Sequence, residues 1–162
     1  MTHNVITITE DQNISAASRK MYENKIGSII VVGNEKDQNA VGILTERDIV
    51  RILGQLEPWL MSTSLRILMS KPLITIASNS SVRDAIQTMY SKKMRRLPVV
   101  SEKDTTNHLI GIITDKDIFK VLMKNQNLVQ SVLSDDFMAQ HMQTVQEQFA
   151  EYWFGNILVH KK

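Results

Sequence analysis

The chain of 162 residues contains no cysteine, which excludes a disulfide framework, a thiolate nucleophile and thiolate-bound metal. Proline (three) and glycine (six) are scarce, too few for a collagen-like or low-complexity chain. No apolar run reaches the roughly 18 residues of a membrane span, and no secretory leader opens the sequence, so a cytoplasmic protein with no membrane partner is expected. Charge of one sign is also missing. Lys plus Arg number 19 and Asp plus Glu 17, a formal net charge of +2, with no basic tail. Binding to any polyanion, nucleic acid included, therefore ranks low. His3, His108, His141 and His160 lack metal-ligand spacing, so no metal site is expected. No Ser–His–Asp set suggests itself, and the threonines lack the neighbouring base that nucleophilic catalysis requires. An enzyme is not expected. Hydrophobic residues at 43% and charged residues at 22% are ordinary for a globular protein.

What the chain does contain is a repeat. The stretch Val5 to Val32, moved by 68 positions, falls without a gap on Leu73 to Val100: Ile6-Thr7-Ile8 on Ile74-Thr75-Ile76, Ala17 on Ala85, Met21-Tyr22 on Met89-Tyr90. One residue is added in a polar loop, and Gly42-Ile43-Leu44-Thr45-Glu46-Arg47-Asp48-Ile49 then falls on Gly111-Ile112-Ile113-Thr114-Asp115-Lys116-Asp117-Ile118. Two copies are too few for a solenoid. They predict two half-domains about a pseudo-twofold axis, with sites shared between them.

Each copy reads as β-α-β-β-α. Val5–Thr9 alternates as a short strand. Ile14, Ala17 and Met21 recur at helical spacing behind a capping Asn13, and the helix is expected to stop near Lys25, ahead of Gly27. Ile29–Val32 is a β-branched run typical of a buried strand. Ala40–Leu44 is a further strand, and Thr45 opens a helix to about Gln55. The second copy places a helix from Ser81, strands at Leu97–Ser101 and His108–Ile113, and a helix from Thr114. Met21, Met89 and Met94 read as core methionines on helices, and Tyr22 and Tyr90 as packed. The boundaries expected are a first repeat at 1–55, a surface-packed linker at 56–70, a second repeat at 71–124 and an extension at 125–162. In the extension Phe137, Met138, His141, Met142, Val145, Phe149 and Trp153 follow helical spacing. They predict an amphipathic helix whose aromatic end needs a cover, either its own module or a subunit boundary.

The pattern that carries chemistry is glycine, two apolar residues, threonine, two residues, aspartate. Each instance turns a strand into a helix. The Thr hydroxyl and free N–H groups at a helix start suit an anion. Arg47 and Lys116 add positive charge, and Asp48 or Asp117 can accept ribose hydroxyls as acidic residues do in dinucleotide folds. The same spacing is also a capping box, and duplication copies caps as faithfully as sites.

These motifs, with Lys25-Ile26-Gly27-Ser28-Ile29-Ile30-Val31-Val32 and Lys93-Met94-Arg95-Arg96-Leu97-Pro98-Val99-Val100, resemble a tandem pair of CBS (cystathionine β-synthase type) domains of the stand-alone prokaryotic and archaeal sort, over about residues 1–124. The resemblance implies an α/β (α+β) fold and a regulatory module that binds adenosine compounds in two clefts between the repeats. One cleft would join Thr114, Lys116 and Asp117 to Ile6, Gly27 and Ser28. The other would join Thr45, Arg47 and Asp48 to Ile74, Arg95 and Arg96, with Arg96 reaching phosphates. The expected ligands are AMP, ADP or ATP as regulators, with no cofactor. A homodimer and an effector protein are the expected partners. The small Gly27-Ser28 pair leaves room for a base, so the Asp117 cleft is expected to be the better one. The start of the chain departs from the family pattern: Met1 falls on Met69, ahead of which the short helix that usually precedes the first strand would lie, so either the module begins abruptly or the sequence is an excerpt of a longer protein. Alternatives are a structural dimerisation module with empty clefts, an S-adenosylmethionine binder and a nucleic-acid binder.

Overall fold

The computed structural model describes residues 1–33, 39–102 and 108–125. The amphipathic helix expected beyond residue 125, with His141 and His160, lies outside the described residues. The chain divides into two compact units, Met1–Ile118 and Phe119–Lys162. Both small sheets belong to the first. Of the second, only the last part of one helix is described.

In the first copy, β1 (Thr7–Thr9) runs parallel to β2 (Ser28–Val32), and β2 pairs antiparallel with β3 (Ala40–Thr45). Helix α1 (Ile14–Glu23) links β1 to β2, and α2 (Glu46–Leu53) follows β3. The second copy repeats the order with β4 (Ile76–Ala77), α4 (Val82–Ser91), β5 (Arg96–Val100), β6 (Leu109–Thr114) and α5 (Asp115–Lys124). The expected α/β architecture holds, down to an irregularity of register at the same place, between Val31 and Val32 and between Val99 and Val100. Between the copies stand a 3-10 turn, Pro58–Met61, and the one-turn helix α3, Leu65–Leu68.

Local chemistry explains the helix limits. Asn13 Oδ1 accepts the Ala16 N–H at 3.0 Å and starts α1. Ser81 caps α4 with a reciprocal box to Asp84. The Ser81 hydroxyl and N–H both donate to that carboxylate and hold its pKa below the ordinary aspartate value. The ends of α1 and α4 depart from expectation. Among the described residues no glycine has a positive φ; Lys25 (φ 53°) and Lys93 (φ 52°) take the left-handed position instead. Both stand at the residue after the C-cap, where that conformation releases the chain towards the next strand. Gly27 instead leaves the space of a side chain to Arg96 and Glu46. Tyr22 is 85% exposed, so it does not pack, and Met94 lies beyond the end of α4, its N–H bonded to the Met89 carbonyl at 2.9 Å.

The core of the first copy gathers Ile8, Ile14, Ala17, Met21, Ile29, Val31, Leu44 and Ile52, closed by Leu60, Leu65 and Met69 from the linker. Ile30 and Val32, on the opposite face of β2, are buried too. A central strand buried on both faces requires a layer on each side, which is why its sequence is unbroken by polar residues.

The copies are also laced by backbone. Ser70 exchanges hydrogen bonds with Ile43 of β3 (2.9 and 3.2 Å), and Thr2 exchanges them with Ile112 of β6 (both 2.9 Å). Each segment thus pairs with the last strand of the other copy. The motif glycines allow it. A Cβ on Gly42 would clash with the Met69 side chain, 2.8 Å from Cγ, and one on Gly111 would lie 2.8 Å from Cγ of Met1. Met1 and Thr2 therefore occupy on β6 the place that Met69 and Ser70 occupy on β3. Met69 is buried, so it cannot simply turn into solvent. Gly42→Ala is expected to cost about 1–3 kcal/mol by overpacking, read as a lower denaturant midpoint. A cost below about 0.5 kcal/mol would show that Met69 yields freely.

Candidate functional site

Each helix start is a small hydrogen-bonded ring. Thr45 has the extended conformation of an N-cap (φ −118°, ψ 163°). Its Oγ1 accepts the Asp48 N–H at 3.2 Å, while Asp48 Oδ2 accepts the Thr45 N–H at 3.0 Å and its hydroxyl at 2.7 Å. Thr114 and Asp117 repeat this at 3.2, 3.0 and 2.8 Å. Both are capping boxes, so the structural role of these residues is real. Each box consumes Oδ2 and leaves Oδ1.

The two remaining oxygens differ. Asp48 Oδ1 accepts from Arg51 Nη2 at 3.2 Å. Asp117 Oδ1 lies 3.9 Å from the nitrogen of Met1, beyond hydrogen-bond length. The oxygen of Asp117 is the more available of the two for a new donor.

Positive charge surrounds both starts. Arg47 and Lys116, the second residues of α2 and α5, are exposed. Arg95 is exposed and Arg96 half-buried. Among the described residues the ion pairs are Arg51–Asp48, Arg66–Glu10 and Met1–Asp117, so all four of these cations are left without an acidic partner. Strand pairing sets Ser28 opposite Thr45 and Arg96 opposite Thr114. The Gly27 carbonyl accepts the Glu46 N–H at 3.2 Å, and the Arg95 carbonyl accepts the Asp115 N–H at 3.0 Å. Each strand start is thereby latched to the helix start of its own copy.

One contact crosses between the copies at this level. A Cβ on Gly27 would lie 2.6 Å from Arg96 Nη2 and 2.9 Å from Glu46 Oε2. The arginine of the second copy and the carboxylate of the first meet above the bare α-carbon of Gly27. Of the residues assigned to clefts from sequence, the structure thus brings Gly27 and Arg96 together, and it sets Met1 beside Asp117. Ile6 packs partly against the first-copy core, and half-buried Ile74 leads into β4. Glu46 was not singled out by sequence. Its only signal there is length: it is glutamate where the second copy has Asp115, whose Oδ1 instead accepts the adjacent Lys116 N–H at 2.8 Å.

No group of three or more His, Asp or Glu residues converges on a metal-sized space among the described residues. No described helix is long and apolar enough to cross a membrane.

The CBS-domain family profile matches residues 1–55 and 65–124. An uncharacterized protein of Methanopyrus kandleri is 40% identical over 119 residues, covering 72% of this chain; the chain spans only 57% of that relative's length. Among solved structures, a protein with CBS domains from Burkholderia ambifaria superposes with a TM-score of 0.65 at 26% identity, over 77% of this chain and 87% of that one. A CBS domain pair solved with 5′-methylthioadenosine and S-adenosyl-L-methionine has the same TM-score at 22% identity, over 76% of this chain and 92% of that one, a likeness of fold. Two repeats of one β-α-β-β-α plan, each with its strand-to-helix Thr–Asp box and each paired with the lead segment of the other, are the two CBS domains of a chain that belongs to the CBS-domain family.

Proposed function

We propose that this CBS pair is a regulatory module that binds an adenine nucleotide, AMP, ADP or ATP, and that the cleft at Asp117 fills first. The observation that carries this is the carboxylate oxygen left outside the Thr114–Asp117 box, at a helix start flanked by Lys116 and Arg96, which have no acidic partner among the described residues. The N–H groups of Thr114, Asp115, Lys116 and Asp117 are all bonded within the chain, so a phosphate there must be held by cations, as a ribose must by an acceptor for its hydroxyls. Both stand within a few residues of each other. Ser28 and the backbone of Gly27 are the candidate small wall for a purine, beside the Arg96 and Glu46 side-chain ends over Gly27, and the Ile6 and Ile74 segments are the candidate edges for reading the base. The neighbour solved with adenosine compounds lends only the fold at its 22% identity; the ligand class is argued from this chain's own residues.

The mechanism is population shift. A ligand moves the equilibrium only by its difference in affinity between two arrangements of the copies, and the module, acting as a homodimer, would pass that arrangement to an effector protein. An apolar set that needs a cover supports an association surface: Val50, Leu53, Leu56 and Trp59, 68%, 49%, 87% and 58% exposed. A structural role fits the Asp48 cleft better, because Arg51 already takes the oxygen that a ribose would use.

Calorimetric titration with AMP, ADP, ATP and S-adenosylmethionine tests the proposal. Saturable binding of a nucleotide, near one equivalent at first, is expected. Flat titrations for all four, with folded and nucleotide-free protein, would overturn it in favour of a structural module. Tight binding of S-adenosylmethionine alone would replace the ligand class.

A further inference from the structure

We propose that Glu46 sets how many phosphates the module accepts, a role that rests on the adenine-nucleotide reading and adds a specificity-determining residue to it. Gly27 has no side chain, and the space above it holds two opposite charges drawn from different copies. Arg96 Nη2 and Glu46 Oε2 lie 2.6 and 2.9 Å from the point a Cβ would occupy. Neither forms an ion pair among the described residues. The guanidinium is therefore close enough to feel the carboxylate without being consumed by it.

A phosphate drawn to Arg96 arrives beside that carboxylate. Repulsion between them grows with each negative charge the ligand adds, whereas contacts to the base and ribose do not change with phosphate number. The second copy has no matching acid in this position, because Asp115 is shorter and turned onto its own helix, where it accepts the Lys116 N–H. Glu46 is exposed, so the opposition is screened by salt and modest in size. At an exposed site an interaction between unit charges changes affinity by about two- to five-fold.

The test compares adenosine, AMP, ADP and ATP as ligands of the wild-type protein and of Glu46→Gln, in EDTA and at low ionic strength. Adenosine should bind both equally. The gain on substitution should then rise by about two- to five-fold with each added phosphate charge, and shrink in high salt. Glutamine keeps the length and the helix-start position, and equal melting temperatures would confirm intact folding. A gain equal for all four ligands, or no gain for any, would overturn the role of Glu46 while leaving nucleotide binding standing. Weaker binding of ATP to Glu46→Gln only when magnesium is added would overturn it too, by showing that the carboxylate holds a metal. If none of the four binds either protein, this inference falls together with the nucleotide reading, an outcome distinct from binding of nucleotides that Glu46→Gln leaves unchanged.

Discussion

Leu65→Ala should lower the unfolding free energy by about 2–5 kcal/mol, among the largest losses available to a single substitution in this chain. Leu65 lies outside both repeats as the sequence defines them, yet it has no solvent exposure and closes the first-copy core together with Leu60 and Met69. Its N–H is also bonded to the Gln12 carbonyl at 2.7 Å, and the Arg66 N–H to that of Glu10 at 2.9 Å. Those bonds hold the backbone in place, so it cannot collapse into the space that alanine would leave, which favours the upper part of the range. Ile67, two residues on and 72% exposed, provides the contrast: Ile67→Ala should stay within about 0.5 kcal/mol. Urea unfolding of the two variants reads the difference. Equal midpoints would mean that the linker is a tether and that the first copy closes its core without it.

The second large effect is on binding. Asp117→Asn keeps an oxygen to accept the Thr114 N–H and hydroxyl, so the capping box survives, but the other position now presents an amide that donates. A ribose hydroxyl that needs an acceptor there loses a charge-assisted hydrogen bond, about 1.5–3 kcal/mol, or roughly 10- to 150-fold in affinity. The Asp48→Asn variant should lose far less, because Arg51 already occupies the outer oxygen of Asp48 at 3.2 Å. Parallel titrations with AMP, with melting temperatures measured on both variants, separate binding from folding. A larger loss in Asp48→Asn would assign the ligand to the other cleft. Losses that match the drop in melting temperature would reduce both aspartates to helix caps.

Much of the fold was legible because it was written twice. Two registers, of 68 and 69 positions, fix the order of elements, and periodicity then separates the helices from the strands. The continuous Ile29–Val32 run correctly predicts a strand buried on both faces. Asn13 and Ser81 start α1 and α4 by side-chain chemistry local enough to read directly. Glycine was less informative. Gly27 suggested a helix stop, but the left-handed residue is Lys25, and the missing side chain serves Arg96 and Glu46 from elsewhere in the sequence. Tyr22 and Tyr90 share a position in the repeat, yet Tyr22 is 85% exposed while Tyr90 is half-buried. Equivalence of sequence does not guarantee equivalence of neighbours.

The candidate site divides in the same way. The Thr–Asp boxes are contacts three residues apart, so the sequence alone determined them, and with them the β-α-β-β-α order and the two-copy plan. Which oxygen of each aspartate stays available, which cation lacks a partner, and the meeting of Arg96 with Glu46 over Gly27 depend on residues up to 116 positions apart. So does the pairing of Met69–Ser70 and Met1–Thr2 with the opposite copies. Local spacing fixes a hydrogen bond within a helical turn because the backbone holds both partners. Only tertiary packing decides what fills the space above a glycine, since that space belongs to whichever distant side chain the fold brings there.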